Sequence, residues 1–88
     1  MKTASIVIKN ATGLHLRPAG LLCESAMLFP CKITFTTDNN YEANAKSVLS
    51  VLGACVKSGE EITITCDGEK EDEALEYMLK VIGDGLGE

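Results

Sequence analysis

Residues 61–66, Glu61-Ile62-Thr63-Ile64-Thr65-Cys66, alternate without a break, apolar at Ile62, Ile64 and Cys66 and hydroxylated at Thr63 and Thr65. Side chains of a strand point alternately to its two faces, so this segment predicts a strand with one face to be covered and one left wet. A chain of 88 residues has room for one core. Whatever covers this face must therefore serve every other apolar face, and the expectation is a single domain over 1–88.

The other segments supply what that core needs. Residues 5–9 read as a strand with Ile6 and Ile8 on one side and Ser5, Val7 and Lys9 on the other, ending at the turn composition Asn10-Ala11-Thr12-Gly13. Pro18 suits a helix start, where the missing N–H is tolerated, and Ala19, Leu22, Cys23 and Ala26 follow at helical spacing until Phe29-Pro30. Ile33 and Phe35 alternate with Lys32, Thr34 and Thr36, and Asp38-Asn39-Asn40 predicts a hairpin reversal into a short strand over residues 41–44.

Residues 47–53 predict a short helix capped by Ser47. Past the loop 57–60 and the strand 61–66, the acidic run 69–73 suits the positive end of a helix dipole, with Leu75, Met78, Leu79 and Ile82 as the apolar stripe and Gly83 and Gly85 ending it. The order is strand, helix, strand, strand, helix, strand, helix (βαββαβα). One-sided patterns in every element favour an α+β fold with helices on one face of a mainly antiparallel sheet.

Composition narrows the function classes. Thirteen acidic residues against eight basic ones leave a net charge of −5, and no stretch gathers Lys and Arg into a stripe able to neutralise a run of phosphates, so nucleic acid is not an expected partner. No apolar run approaches the ~20 residues that cross a bilayer, and the first residues lack a signal-peptide apolar region; a cytoplasmic protein without membrane insertion is expected. Cys23, Cys31, Cys55 and Cys66 show no metal-type spacing and His15 is the one histidine, so no metal site is expected. The cysteines read as small buried apolar residues; a redox pair among them would require two to be neighbours in space.

Chemistry gathers at Gly13-Leu14-His15-Leu16-Arg17-Pro18-Ala19. A neutral imidazole can attack a phosphoryl donor and hold the group covalently. At a helix entrance the unpaired N–H groups and the dipole face such an anion, and Arg17 adds a permanent planar cation. Gly13 frees the preceding backbone to make the turn that exposes the ring. Taken alone, a histidine near a helix entrance is more often a hydrogen-bonded surface residue.

The segment from Thr12 to Gly20 closely resembles the active-site signature of HPr, the histidine-containing phosphocarrier family of the bacterial phosphoenolpyruvate sugar phosphotransferase system. Asn44-Ala45-Lys46-Ser47-Val48-Leu49 resembles that family's regulatory-serine segment, and Ser58-Gly59-Glu60-Glu61-Ile62-Thr63-Ile64 its last strand. The resemblance implies an open-faced β-sandwich, a four-stranded antiparallel sheet covered on one side by three helices. It implies that His15 accepts a phosphoryl group on Nδ1 from enzyme I, steadied by Arg17, and passes it to an enzyme IIA domain of a sugar transporter. It implies no cofactor of the carrier's own, since Mg²⁺ is needed by enzyme I, and no turnover of a substrate.

A carrier with partners on both sides of a relay favours a shallow apolar surface. Leu16, Gly20 and Glu24 share a helix face, and Val48, Leu49 and Leu52 extend it, unless Leu49 and Leu52 are core. An exposed docking face also implies a monomer. Ser47 is explained as a cap alone, but the resemblance makes it a target of HPr kinase/phosphorylase, with catabolite control protein A binding the product; a phosphate there would add about −2 of charge beside the docking face. Leu16 departs from the small or hydroxylated residue expected beside the histidine, and four cysteines are unusual. The alternatives are a paralogous carrier of a nitrogen-type or dedicated relay, or a regulatory binding module acting through the Ser47 face.

Overall fold

The computed structural model describes residues 1–87; Glu88, the last residue of the expected domain, lies outside the described residues. The elements are β1 (Lys2–Val7), α1 (Leu16–Ala26), β2 (Lys32–Thr36), β3 (Glu42–Asn44), α2 (Val48–Gly53), β4 (Glu61–Asp67) and α3 (Glu71–Gly83). The strands form one antiparallel sheet in the order β1-β4-β2-β3. The alternating segment thus lies at the interior of the sheet, with Ile64 opposite both Ala4 and Phe35.

Ile33, Phe35, Ala43, Ile62, Ile64 and Cys66 are buried beneath Leu22, Ala26, Val51, Ala74, Met78 and Ile82 of the three helices. The opposite face carries hydroxyls that meet one another, Ser5 to Thr63 at 3.1 Å and Thr3 to Thr65 at 3.4 Å. Such cross-strand pairs satisfy polar groups without demanding a cover. The expected α+β architecture, helices on one side of an open sheet, is the one observed.

Several boundaries differ for identifiable reasons. β1 begins at Lys2 because Thr3 and Ala4 pair with Thr65 and Ile64, and it ends at Val7. Ile8 still exchanges bonds with the 59–60 loop, donating to Glu60 at 2.9 Å and accepting from Gly59 at 2.7 Å, whereas Lys9 leaves the sheet. α1 starts at Leu16, placing Pro18 third in the helix rather than first. The missing N–H costs nothing there, since the first helical bond comes from the next residue, Ala19 N–H to the His15 carbonyl at 2.8 Å.

In α3 the buried stripe is Ala74, Met78 and Ile82, with Leu75 and Leu79 half-buried on its flank. The small Ala74 is what faces the sheet, and that turns the larger leucines aside. The acidic residues Glu71, Asp72 and Glu73 occupy the first turn, and Glu69 precedes the helix. Glu71 accepts from Gly68 N–H at 3.0 Å and from the Met1 ammonium at 2.7 Å, which holds its carboxyl below the usual range.

The cysteines divide. Cys31 and Cys66 are buried as expected, but Cys23 is half-buried and Cys55 is exposed, and all four are free thiols. Cys55 sits outside the core because the chain turns there through a positive φ of 52° just after α2. Cys31 and Cys66 come together at the β2–β4 end.

Burial, aided by the Cys31 thiol, pushes the Cys66 thiol up to about 11. A thiol that keeps its proton in the fold but releases it on unfolding costs stability as pH rises from the ordinary thiol range toward that value. Urea unfolding over this alkaline range should show a falling midpoint, with a smaller fall in Cys66→Ala. At the sheet centre, Ile64→Ala should lower unfolding free energy by about 2–5 kcal/mol, read from urea denaturation.

Candidate functional site

The chain enters the site from the edge of the sheet. Past Ile8, Asn10 and Gly13 close a turn, with Gly13 N–H donating to the Asn10 carbonyl at 3.0 Å and the Asn10 side-chain amide donating to the Gly13 carbonyl. Gly13 has φ +65°, and a Cβ there would lie 2.4 Å from the Val56 carbonyl oxygen and 2.8 Å from Lys57 Cα. Only glycine fits both the conformation and the approach. Leu14 follows, buried, its N–H donating to the Val56 carbonyl at 2.9 Å.

His15 is then the residue before α1, with extended backbone (φ −76°, ψ −175°) and no side-chain capping bond. Its ring is exposed and lines a concavity of about 290 Å³ with Leu14, Leu52, Cys55, Val56 and Lys57. The backbone N–H groups of Leu16 and Arg17 precede the first intrahelical bond, so donors and the positive end of the dipole lie beside the imidazole. An anion carried on this ring would meet them without rearrangement of the helix.

Arg17 is exposed on the first turn of α1 and borders a second, larger groove of about 900 Å³. Of the residues expected on a docking face, Leu16, Gly20, Glu24 and Val48 line this groove together with Arg17. Leu52 lines the His15 concavity while packing partly on the core, and Leu49, 83% exposed, borders neither. Met27 and Leu28 also line the groove and are mostly exposed. The sequence signal for them was slight: two apolar residues off the helix stripe, just before Phe29-Pro30.

Cys55 and Lys57 also escaped the sequence reading. The turn that carries them looks like an ordinary loop, and only the docking of Gly13 on Val56 and Lys57 brings it to His15. Ser47 caps α2 as expected, its Oγ accepting from Ser50 N–H at 3.3 Å. Ser50 Oγ in turn accepts from Asn44 N–H at 2.8 Å. Lys46 spans to the end of α1, donating to the Phe29 carbonyl at 2.6 Å, which ties the Ser47 segment to the helix that His15 begins. Among the described residues no cluster of His, Cys, Asp and Glu could hold a metal.

A small open-faced α+β protein presenting a histidine at a helix entrance defines a class, and comparison with known proteins agrees. The family model described as the PTS HPr component phosphorylation site matches residues 2–84. The chain is 36% identical over 84 residues to the phosphocarrier protein HPr of Mycoplasma capricolum, covering 96% of this chain and 93% of the relative. It superposes on the crystal structure of HPr from Thermoanaerobacter tengcongensis with a TM-score of 0.95 at 36% identity, covering 100% of this chain and 98% of the other. It is also similar to the catabolite repression protein Crh of Bacillus subtilis, solved as a swapped dimer, with a TM-score of 0.76, 30% identity and 97% of each chain covered. The chain belongs to the HPr family of phosphocarrier proteins of the phosphotransferase system.

Replacing Gly13 with alanine forces both a positive φ and a collision with backbone. Gly13→Ala should destabilise the fold by at least about 2 kcal/mol in urea denaturation.

Proposed function

We propose that this chain accepts a phosphoryl group from phosphorylated enzyme I on His15 and passes it to enzyme IIA domains during sugar uptake. The observation that carries this reading is the placement of His15: an uncapped, exposed imidazole directly before α1, between a concavity and an apolar groove. The neutral ring nitrogen, Nδ1 in this family, attacks phosphorus; a P–N bond forms as the bond to the donor breaks, and the reverse exchange delivers the group to the acceptor. Arg17 neutralises phosphate oxygens, and the N–H groups of the first helical turn support them.

Docking falls to Leu16, Gly20, Glu24, Val48, Leu49 and Leu52, with Met27 and Leu28 added by their exposure beside the groove. A broad, open apolar surface suits successive partners better than a deep pocket would. The protein acts as a carrier without turnover of its own, as a monomer in the cytoplasm; no described helix is long and apolar enough to cross a membrane. Ser47 is the regulatory position. Phosphorylated by HPr kinase/phosphorylase, it would place negative charge next to Val48 at the groove, slow transfer through His15 and create the face that catabolite control protein A reads.

Intact mass after incubation with phosphoenolpyruvate, Mg²⁺ and a cognate enzyme I tests the proposal. The wild type should gain one acid-labile phosphate and His15→Ala none, while Ser47→Asp should gain it more slowly. No gain by the wild type, with an enzyme I active on another HPr, would replace the carrier by a regulatory module working through the Ser47 face.

A further inference from the structure

We infer that Asn10 is a positioning residue for His15, its side-chain amide holding the 10–13 turn that sets the imidazole over its concavity; this rests on the carrier reading above. Asn10 is 6% exposed, and its Nδ2 donates to the Gly13 carbonyl while its own carbonyl accepts from Gly13 N–H. The two bonds run in opposite directions between the same residues and close the turn from both ends. The orientation of the amide is fixed by chemistry, because rotating it would set Oδ1 against the Gly13 carbonyl oxygen.

The arrangement carries a cost that a residue serving only to fill space would avoid. Asn10 Oδ1 is buried with no hydrogen-bond partner among the described residues, and burial of an unpaired polar atom is destabilising because its lost hydration is not replaced. An apolar side chain would escape that cost but leave the Gly13 carbonyl without its donor. What the amide supplies in return is the placement of Gly13, the residue seated against Val56 and Lys57.

From Gly13 the constraint reaches His15 in two steps. Leu14 is buried and bonded to the Val56 carbonyl, and His15 follows it with its carbonyl taken by Ala19 N–H. Val56 and Lys57 are both the platform under Gly13 and the far wall of the His15 concavity. Releasing the turn therefore moves the ring relative to the surface against which a phosphoryl donor must align, while the docking groove on α1 stays where it is. A displacement of about 1 Å at a reacting group can cost up to about a hundredfold in rate.

The test uses Asn10→Ala and Asn10→Asp, the second matching asparagine in shape but, once ionised, unable to donate to Gly13. Ile64→Ala serves as a comparator destabilised far from the site. In folded protein well below each midpoint, ¹H–¹⁵N spectra of the His15 ring are recorded, and phosphoryl uptake from enzyme I is resolved into kcat and KM for the carrier. Both Asn10 variants should shift the ring resonances and lower kcat about tenfold or more with KM within about twofold, and Ile64→Ala should do neither. Wild-type ring resonances and kcat in either folded Asn10 variant, or the same changes in Ile64→Ala, would overturn the inference. If Asn10→Asp does not fold, Asn10→Ala decides. If the wild type takes no phosphate, the carrier reading fails by itself and the ring spectra still decide the role of Asn10.

Discussion

The structure turns on one close approach, the seating of Gly13 on the backbone of Val56 and Lys57. Two loops distant in sequence, one leaving β1 and one entering β4, meet there with no side chain between them. The Leu14 to Val56 bond and the paired bonds between Ile8 and residues 59–60 continue the same seam. Without it, β1 and β4 would still pair, but the helix entrance that follows Leu14 would have no fixed position over the sheet. The end of the protein that carries His15 is thus an extension of sheet pairing beyond the last strand residue.

From that seam the layers organise themselves. β4 lies between β1 and β2, so Ile64 meets Ala4 on one side and Phe35 on the other, while Ile62 pairs with Ile6 and Cys66 with Ile33, and α3 closes over β1 and β4. α1 and α2 pack together at the other side, tied by Lys46 reaching the Phe29 carbonyl. Each helix in this small core is held mainly by its apolar stripe, and the surface left over along α1, with Val48 at the start of α2, becomes the groove. The site and the core are built from opposite sides of the same helices.

Much of this was legible in the sequence because it is local. The alternation of 61–66, the Asp38-Asn39-Asn40 reversal and the Ser47 cap each follow from chemistry within a few residues, and all are present in the structure. The position of His15 at a helix entrance was legible too, although the helix begins two residues earlier than Pro18 implied. What could not be read was tertiary. Whether Asn10 points into the protein, whether Cys55 is buried, and which neighbour Lys57 acquires all depend on the seam at Gly13. The rotation of the α3 stripe toward Ala74 likewise follows from how near the helix lies to the sheet, a distance that periodicity does not encode.

The uncovered face of the sheet has a consequence for how copies of the protein meet. Its hydroxyls at Ser5 and Thr63, and at Thr3 and Thr65, already satisfy one another across the strands. Stacking two such faces would strip water from polar groups and return little apolar contact. Crowding can bring the molecules near one another, but this side gives them no adhesive and remains a hydrated, slippery back.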